Sequence, residues 1–163
     1  MSVTVFLGSE SDFEVIKDGL DILKEFGVPF SLEVTSAHRS PERTLRLVRE
    51  AEKAGTAVFI AVAGKAAHLA GVVAAHTVRP VIGVPVESAA LAGLDALLST
   101  VQMPKGIPVA TVALGKAGGA NAALLAVEIL ALADPGLGEK LLAHRKKMAA
   151  GVVESSKKTQ TKI

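Results

Sequence analysis

The uninterrupted apolar run Ala57-Val58-Phe59-Ile60-Ala61-Val62 is the feature that most constrains how this chain folds. Successive side chains of a strand point to opposite faces, so apolar residues at consecutive positions predict a strand that is buried on both faces. Strands of this kind lie in parallel sheets that have helices on both sides. We therefore expect an α/β fold.

Four further strand patterns alternate with helical patterns along the chain. The strands are predicted at 3–7, 30–34, 80–84 and 108–114. Helices are predicted from Phe13 onward and at 41–55, 66–77, 89–101 and 120–133, followed by a last helix that begins near residue 138. Strand–helix units in this order predict a flavodoxin-like three-layer α/β/α sandwich, with a five-stranded parallel sheet and a C-terminal helix.

The length and composition indicate one globular domain. The 163 residues are enough to bury a sizeable core. We expect the α/β domain to occupy residues 1–150 and residues 151–163 to form a polar basic tail. The sequence has no cysteine and no apolar run near the ~20 residues of a membrane span. We therefore expect a cytoplasmic protein without disulfides, thiolate metal sites or a membrane partner.

The positive net charge is confined to the C-terminal segment. From Glu139 onward the chain has seven of its 18 Lys and Arg residues but only two of its 16 Asp and Glu residues, so the preceding part is net negative. The sequence also has no Trp or Tyr, and only five Phe, to stack on bases. We therefore expect no nucleic-acid partner.

Two polar loops follow predicted strands, at the edge where open parallel sheets bind their ligands. Ser36-Ala37-His38-Arg39-Ser40-Pro41 places an imidazole and a guanidinium after the second strand. Gly8-Ser9-Glu10-Ser11-Asp12 follows the first strand, and its hydroxyl and free backbone N–H groups suit an anion. The Gly8 loop alone also fits an ordinary helix cap. Because the loop containing His38 and Arg39 is expected next to it, the two loops together indicate a ligand site.

Other motifs give weaker signals. His68 follows the third strand and fits ligand contact and interface packing about equally well, and no pair of histidines has the spacing of a zinc site. Gly64-Lys65 and Gly115-Lys116 lack the Ser or Thr that a phosphate-binding P-loop needs. A phosphoacceptor receiver domain would need an aspartate where the third strand ends at Ala63-Gly64. We therefore expect no metal.

Two predicted helices have too few polar residues for a face exposed to water. Segment 66–75 has only His68 as a strongly polar residue, and segment 120–133 has only Asn121 and Glu128. A helix that covers a sheet normally presents a polar stripe to solvent. We therefore predict that both helices pack against other copies of the chain in a homo-oligomer.

Six sequence blocks, in order, carry a family resemblance. They lie at 8–12, 36–41, 66–69, 80–86, 101–109 and 121–126. Together they resemble the N5-carboxyaminoimidazole ribonucleotide mutase family. The resemblance implies a cofactor-free homo-octamer whose active sites form where subunits meet. It implies isomerisation of N5-carboxyaminoimidazole ribonucleotide to 4-carboxyaminoimidazole ribonucleotide in purine (IMP) biosynthesis, by decarboxylation and recarboxylation, and functional coupling to the ATP-dependent enzyme that makes the N5-carboxylated substrate.

The resemblance also implies roles for individual residues. Ser9, Asp12 and Arg39 match the nucleotide-binding positions, and His38 matches the acid–base residue that protonates the exocyclic amine and removes the ring proton. His68 is expected to help enclose carbon dioxide. The other expected substrate contacts are Ser11, Ser36, Ala37, Gly64, Lys65, Ala66 and Leu69.

Lys65 departs from the family pattern. Most bacterial mutases have glycine at this position, whereas a basic residue there is similar to the related carboxylases, which add carbon dioxide directly to aminoimidazole ribonucleotide. Direct carboxylation therefore stays open as an alternative. A non-catalytic phosphate- or flavin-binding module on the same fold is a further alternative, although it gives no reason for six matching blocks.

Overall fold

The computed structural model describes residues 1–162 and has a five-stranded sheet at its centre. The strands lie in the order β2-β1-β3-β4-β5, and every pairing is parallel. This is the flavodoxin-like strand order, so the predicted fold is confirmed. The strands are β1 (Ser2–Leu7), β2 (Phe30–Val34), β3 (Thr56–Gly64), β4 (Val81–Val86) and β5 (Ala110–Thr111).

Within residues 1–162, six α-helices cover both faces of the sheet. One apolar cluster packs α1, α5 and the start of α6 against one face, and a second cluster packs α2, α3 and α4 against the other. None of these helices is long and apolar enough to span a membrane. The helices are α1 (Phe13–Phe26), α2 (Pro41–Lys53), α3 (Leu69–Ala74), α4 (Leu94–Val101), α5 (Gly115–Ala131) and α6 (Pro135–Gln160).

The central strand β3 is buried on both faces, as its apolar run predicts. Its even-numbered residues from 58 to 62 pack toward α1 and α5, and its odd-numbered residues from 59 to 63 pack toward α2 and α3. Both apolar clusters therefore meet on one strand, which fixes the position of the loop that follows it.

Two predicted helices are shorter than expected, and residues with positive φ angles precede both of them. α3 begins three residues later than predicted, after Lys65 adopts a φ of +57°, and it also ends three residues earlier. α4 begins five residues later than predicted, after Ala92 and Gly93 adopt φ angles of +48° and +84°. Right-handed helical residues need negative φ, so α4 cannot begin before Leu94, whereas before α3 residues 66–68 belong to the tight turn that follows Lys65.

The C-terminal third of the chain also differs from the predicted bounds. β5 pairs only Ala110 and Thr111 with β4, so this edge strand is shorter than the predicted 108–114. α5 begins at residue 115 rather than 120, and α6 begins at residue 135 rather than near 138. α6 then continues to Gln160, through most of the predicted tail. The last residue of that tail, Ile163, lies outside the described residues.

The two apolar helices are partly covered within one chain. Four of the six residues of α3 are buried, and α5 packs against α1 and α6. Gly119 permits the close approach of α5 to α1, because a Cβ there would clash with the Val15 carbonyl. Exposed apolar side chains lie on α4 and α6.

Candidate active site

A pocket of about 730 Å³ opens at the carboxyl ends of β1 to β4. It lies at the switch point of the sheet, because the chain leaves β1 toward β2 on one side and leaves β3 toward β4 on the other. The structure brings together every site residue predicted from the sequence. These are Ser9, Ser11, Asp12, Ser36, Ala37, His38, Arg39, Gly64, Lys65, Ala66, His68 and Leu69.

One wall of the pocket lies outside the site residues predicted from the sequence. It consists of Val86, the last residue of β4, and of Glu87, Ser88 and Ala89, which follow the strand. These residues could have been predicted from the strand pattern at 80–84. Its carboxyl end lies at the same sheet edge as those of β1 and β3, so the loop that follows it belongs beside theirs.

Asp12 is the buried carboxylate of the loop after β1. Its Oδ2 accepts a hydrogen bond from the Ser9 backbone N–H at 3.0 Å, and only 7% of the residue is exposed. Burial raises the pKa of Asp12 above its ordinary value of 3.8, and the Ser9 N–H and the Arg39 charge oppose this effect only in part. The Ser11 hydroxyl donates to the Ser9 hydroxyl at 3.0 Å, so the loop is ordered by its own polar groups.

Arg39 joins the loop after β2 to the loop after β1. Its Nη2 donates to the Gly8 carbonyl at 3.0 Å, and its backbone N–H donates to the Ser36 hydroxyl at 3.2 Å. Among the described residues, Arg39 has no carboxylate within ion-pair distance. Its guanidinium is therefore held in place while its charge remains available to an anionic ligand.

His38 and His68 form a hydrogen-bonded pair inside the pocket. His38 Nε2 lies 2.8 Å from His68 Nδ1, and the two rings are nearly perpendicular, at 76°. One of these nitrogens donates and the other accepts, so a single proton lies between the two rings. His68 thus contacts the candidate acid–base group within the same chain.

The turn between β3 and α3 directs His68 toward His38. Lys65 O accepts from the Ala67 N–H, and Ala66 O accepts from the His68 N–H, each at 2.8 Å. This tight turn reverses the chain immediately after β3. Leu69 follows it with only 2% exposure, so the turn is anchored in the core at its far end.

The remaining histidines lie outside the pocket. His76 Nδ1 contacts the Val72 carbonyl at 2.8 Å near the end of α3. His144 is half-buried against Phe26. In residues 1–162, no group of three His, Cys, Asp or Glu side chains is placed to hold a metal ion.

These features define an α/β protein that can bind an anionic ligand and move protons at the switch point of its sheet. The chain belongs to the AIR carboxylase family, because the model of that family matches residues 2–151. It is 54% identical over 158 residues to the N5-carboxyaminoimidazole ribonucleotide mutase of Methanocaldococcus jannaschii, and the match covers 97% of both chains.

Two further relatives agree with this assignment. The N5-carboxyaminoimidazole ribonucleotide mutase of Escherichia coli K12 is 50% identical over 153 residues, which cover 94% of this chain and 90% of that protein. The crystal structure of Treponema denticola PurE superimposes with a TM-score of 0.86 at 29% identity and covers 96% of both chains. The resemblance seen in the six sequence blocks is therefore confirmed.

Proposed function

We propose that this chain is an isomerase that converts N5-carboxyaminoimidazole ribonucleotide to 4-carboxyaminoimidazole ribonucleotide in purine (IMP) biosynthesis. The observation that carries the proposal is the hydrogen-bonded pair of His38 and His68, which shares one pocket with the anchored Arg39. Two relatives, 50% and 54% identical to this chain, are named N5-carboxyaminoimidazole ribonucleotide mutase. The chemistry consists of proton transfer and carbon dioxide transfer, so we expect no cofactor.

The reaction moves one carboxylate from the exocyclic amine to the neighbouring ring carbon. The carbon–nitrogen bond breaks as carbon dioxide leaves, and the amine nitrogen takes up a proton. The ring carbon then forms a bond to carbon dioxide and loses its own proton. One proton is delivered and one is removed, so a single imidazole that alternates between donor and acceptor balances the reaction.

His38 suits this proton cycle because His68 fixes the orientation of its ring. When His38 Nε2 donates to His68 Nδ1, His38 Nδ1 is left as a free base. A proton taken up at Nδ1 makes the bond to His68 charge-assisted and therefore stronger. The pair thus stabilises the protonated state that the second half of the reaction produces.

The polar groups around the pair suit a nucleoside monophosphate. We assign the 5′-phosphate to Arg39 and the hydroxyls of Ser9, Ser11 and Ser36, since a guanidinium and hydroxyl donors match phosphate oxygens. Asp12 would accept hydrogen bonds from the ribose hydroxyls. The small or apolar groups that would enclose carbon dioxide beside His68 are Ala37, Gly64, Ala66 and Leu69.

We also propose a cytoplasmic homo-octamer, in which the number of subunits follows the family resemblance. Leu94, Leu98 and Val101 lie on one face of α4 and are between 47% and 54% exposed. The turn before α4 contains Ala89 of the pocket wall, so a second copy packed on this face would border the pocket. We further expect functional coupling to the ATP-dependent enzyme that supplies the N5-carboxylated nucleotide.

Direct carboxylation of aminoimidazole ribonucleotide is the second candidate, because Lys65 places an additional positive charge at the pocket. Stopped-flow assays without ATP or added metal separate the two reactions. We expect 4-carboxyaminoimidazole ribonucleotide to form faster from the N5-carboxylated nucleotide than from aminoimidazole ribonucleotide at modest bicarbonate. The reverse order of rates would identify a carboxylase, and binding without turnover of either nucleotide would identify a non-catalytic module.

A further inference from the structure

We propose that Lys65 binds the carboxylate that moves between the two positions of the substrate, and that it makes the pocket selective for carboxylated over uncarboxylated nucleotides. This inference rests on the proposed function and names the residue that recognises the migrating group. It is carried by the backbone conformation of Lys65, by the lack of any role for its side chain in the fold, and by its separation from Arg39.

Lys65 has an unfavourable backbone conformation. Its φ of +57° lies in the left-handed region, and in residues 1–162 the only other residue with a side chain in that region is Ala92. A Cβ makes this conformation costly, whereas glycine adopts it freely. A lysine is therefore retained here at some expense in stability, and residues strained in this way cluster at ligand sites.

The fold itself does not use the Lys65 side chain. The turn after β3 is closed by backbone groups, with the Lys65 carbonyl accepting from the Ala67 N–H at 2.8 Å, and glycine would provide the same carbonyl. Among the described residues, the Lys65 ammonium has no hydrogen-bond partner and no carboxylate within 4.0 Å. The side chain is exposed and lines the pocket. A bound anion would give the Lys65 ammonium the partner that the fold does not provide.

The two fully charged cations of the pocket lie on different loops. Arg39 is tied to the Gly8 carbonyl and to Ser36, on the side of β1 and β2. Lys65 follows β3, three residues before His68, whose ring contacts His38. The substrate has two anionic groups, a phosphate and a carboxylate. Arg39 fits the phosphate, which leaves Lys65, on the same turn as His68, as the cation for the carboxylate.

This arrangement predicts which ligands depend on Lys65. Aminoimidazole ribonucleotide has the phosphate but lacks the carboxylate, so its binding should not need Lys65. 4-Carboxyaminoimidazole ribonucleotide has both groups and should bind more tightly through the ammonium. A hydrogen bond to a charged group is worth about 1.5–3 kcal/mol, so its loss should weaken binding roughly tenfold to a hundredfold.

The test compares the binding of both nucleotides by titration calorimetry. Wild-type protein, Lys65→Met and Lys65→Arg are titrated with 4-carboxyaminoimidazole ribonucleotide and with aminoimidazole ribonucleotide. Lys17→Met is the matched control, because Lys17 is an exposed lysine of α1 outside the pocket. We expect Lys65→Met to weaken the carboxylated nucleotide alone, Lys65→Arg to restore most of its affinity, and Lys17→Met to leave both affinities unchanged.

The stability of Lys65→Gly provides a second readout. Removal of the strained side chain should leave the melting temperature unchanged or raise it, while binding of the carboxylated nucleotide weakens. Equal losses for both nucleotides in Lys65→Met, no loss for either, or a large fall in the melting temperature of Lys65→Gly would each overturn the proposal. If the proposed mutase function is wrong, the wild-type protein will show no turnover. The two nucleotides can still be compared in binding, so the proposal for Lys65 is tested independently.

Discussion

The hydrogen bond between His38 and His68 allows the two imidazoles to be assigned different roles. If His38 transfers the protons and His68 only orients it, His38→Asn should lower turnover by on the order of 10²- to 10⁴-fold. His68→Ala removes a single hydrogen bond of 2.8 Å between exposed rings. When His38 is protonated this bond is charge-assisted and is worth about 1.5–3 kcal/mol, so its loss should lower turnover about ten- to a hundredfold, less than the loss in His38→Asn.

Initial-rate measurements on the single and double variants test this division of roles. When His38 is already replaced, His68 has nothing left to orient, so the double variant should be no slower than His38→Asn alone. His76→Ala is a suitable control, because that ring contacts the Val72 carbonyl outside the pocket. A loss in His68→Ala as large as that in His38→Asn would refute the reasoning, since His68 would then transfer a proton itself. Wild-type turnover in His68→Ala would also refute it.

Three further outcomes follow from packing and burial. Asp12→Asn should raise the free energy of unfolding at neutral pH and weaken nucleotide binding. Burial raises the pKa of Asp12, so the free energy of unfolding of the wild type should fall as the pH rises from 3.8 through that raised value. Urea denaturation at several pH values measures both effects on stability. Gly119→Ala should destabilise the fold by about 1–3 kcal/mol through its clash with α1, whereas Gly138→Ala, with open space around it, should stabilise by about 0.4–1 kcal/mol. Leu98→Asp places a charge on the exposed apolar face of α4 and should shift sedimentation toward smaller species, while an unchanged octamer would place the interface elsewhere.

The strands and the polar loops could be predicted from the sequence because their signals are local. An apolar run or an alternating pattern marks a strand within a few residues, and in a parallel sheet every loop after a strand lies at the same edge. This rule places the loop containing His38 and Arg39 at the ligand-binding edge of the sheet, where the pocket lies. The wall that follows β4 obeys the same rule, but its sequence has no imidazole or guanidinium to draw attention to it.

The features that the sequence could not predict depend on distant contacts or on backbone angles. His38 and His68 are 30 residues apart, and their bond depends on the tight turn after β3. Positive φ angles at Lys65 and Ala92 precede the two shortened helices, although neither residue type favours that conformation. The burial of α5 against α1 depends on Gly119, and the sequence alone does not indicate which helix this glycine contacts.

The precision of the candidate site comes from the register of the buried strands. Leu7 of β1 pairs with Val34 of β2 and with Val62 of β3, so the three loops that provide Asp12, Arg39 and His68 begin from positions fixed relative to one another. A shift of one residue in the pairing of β1 with β3 would exchange the side chains that β3 presents to the two clusters, which the packing on both sides opposes. The two apolar clusters thus maintain the spacing of the proton-transfer pair, even though both of its rings are exposed to solvent.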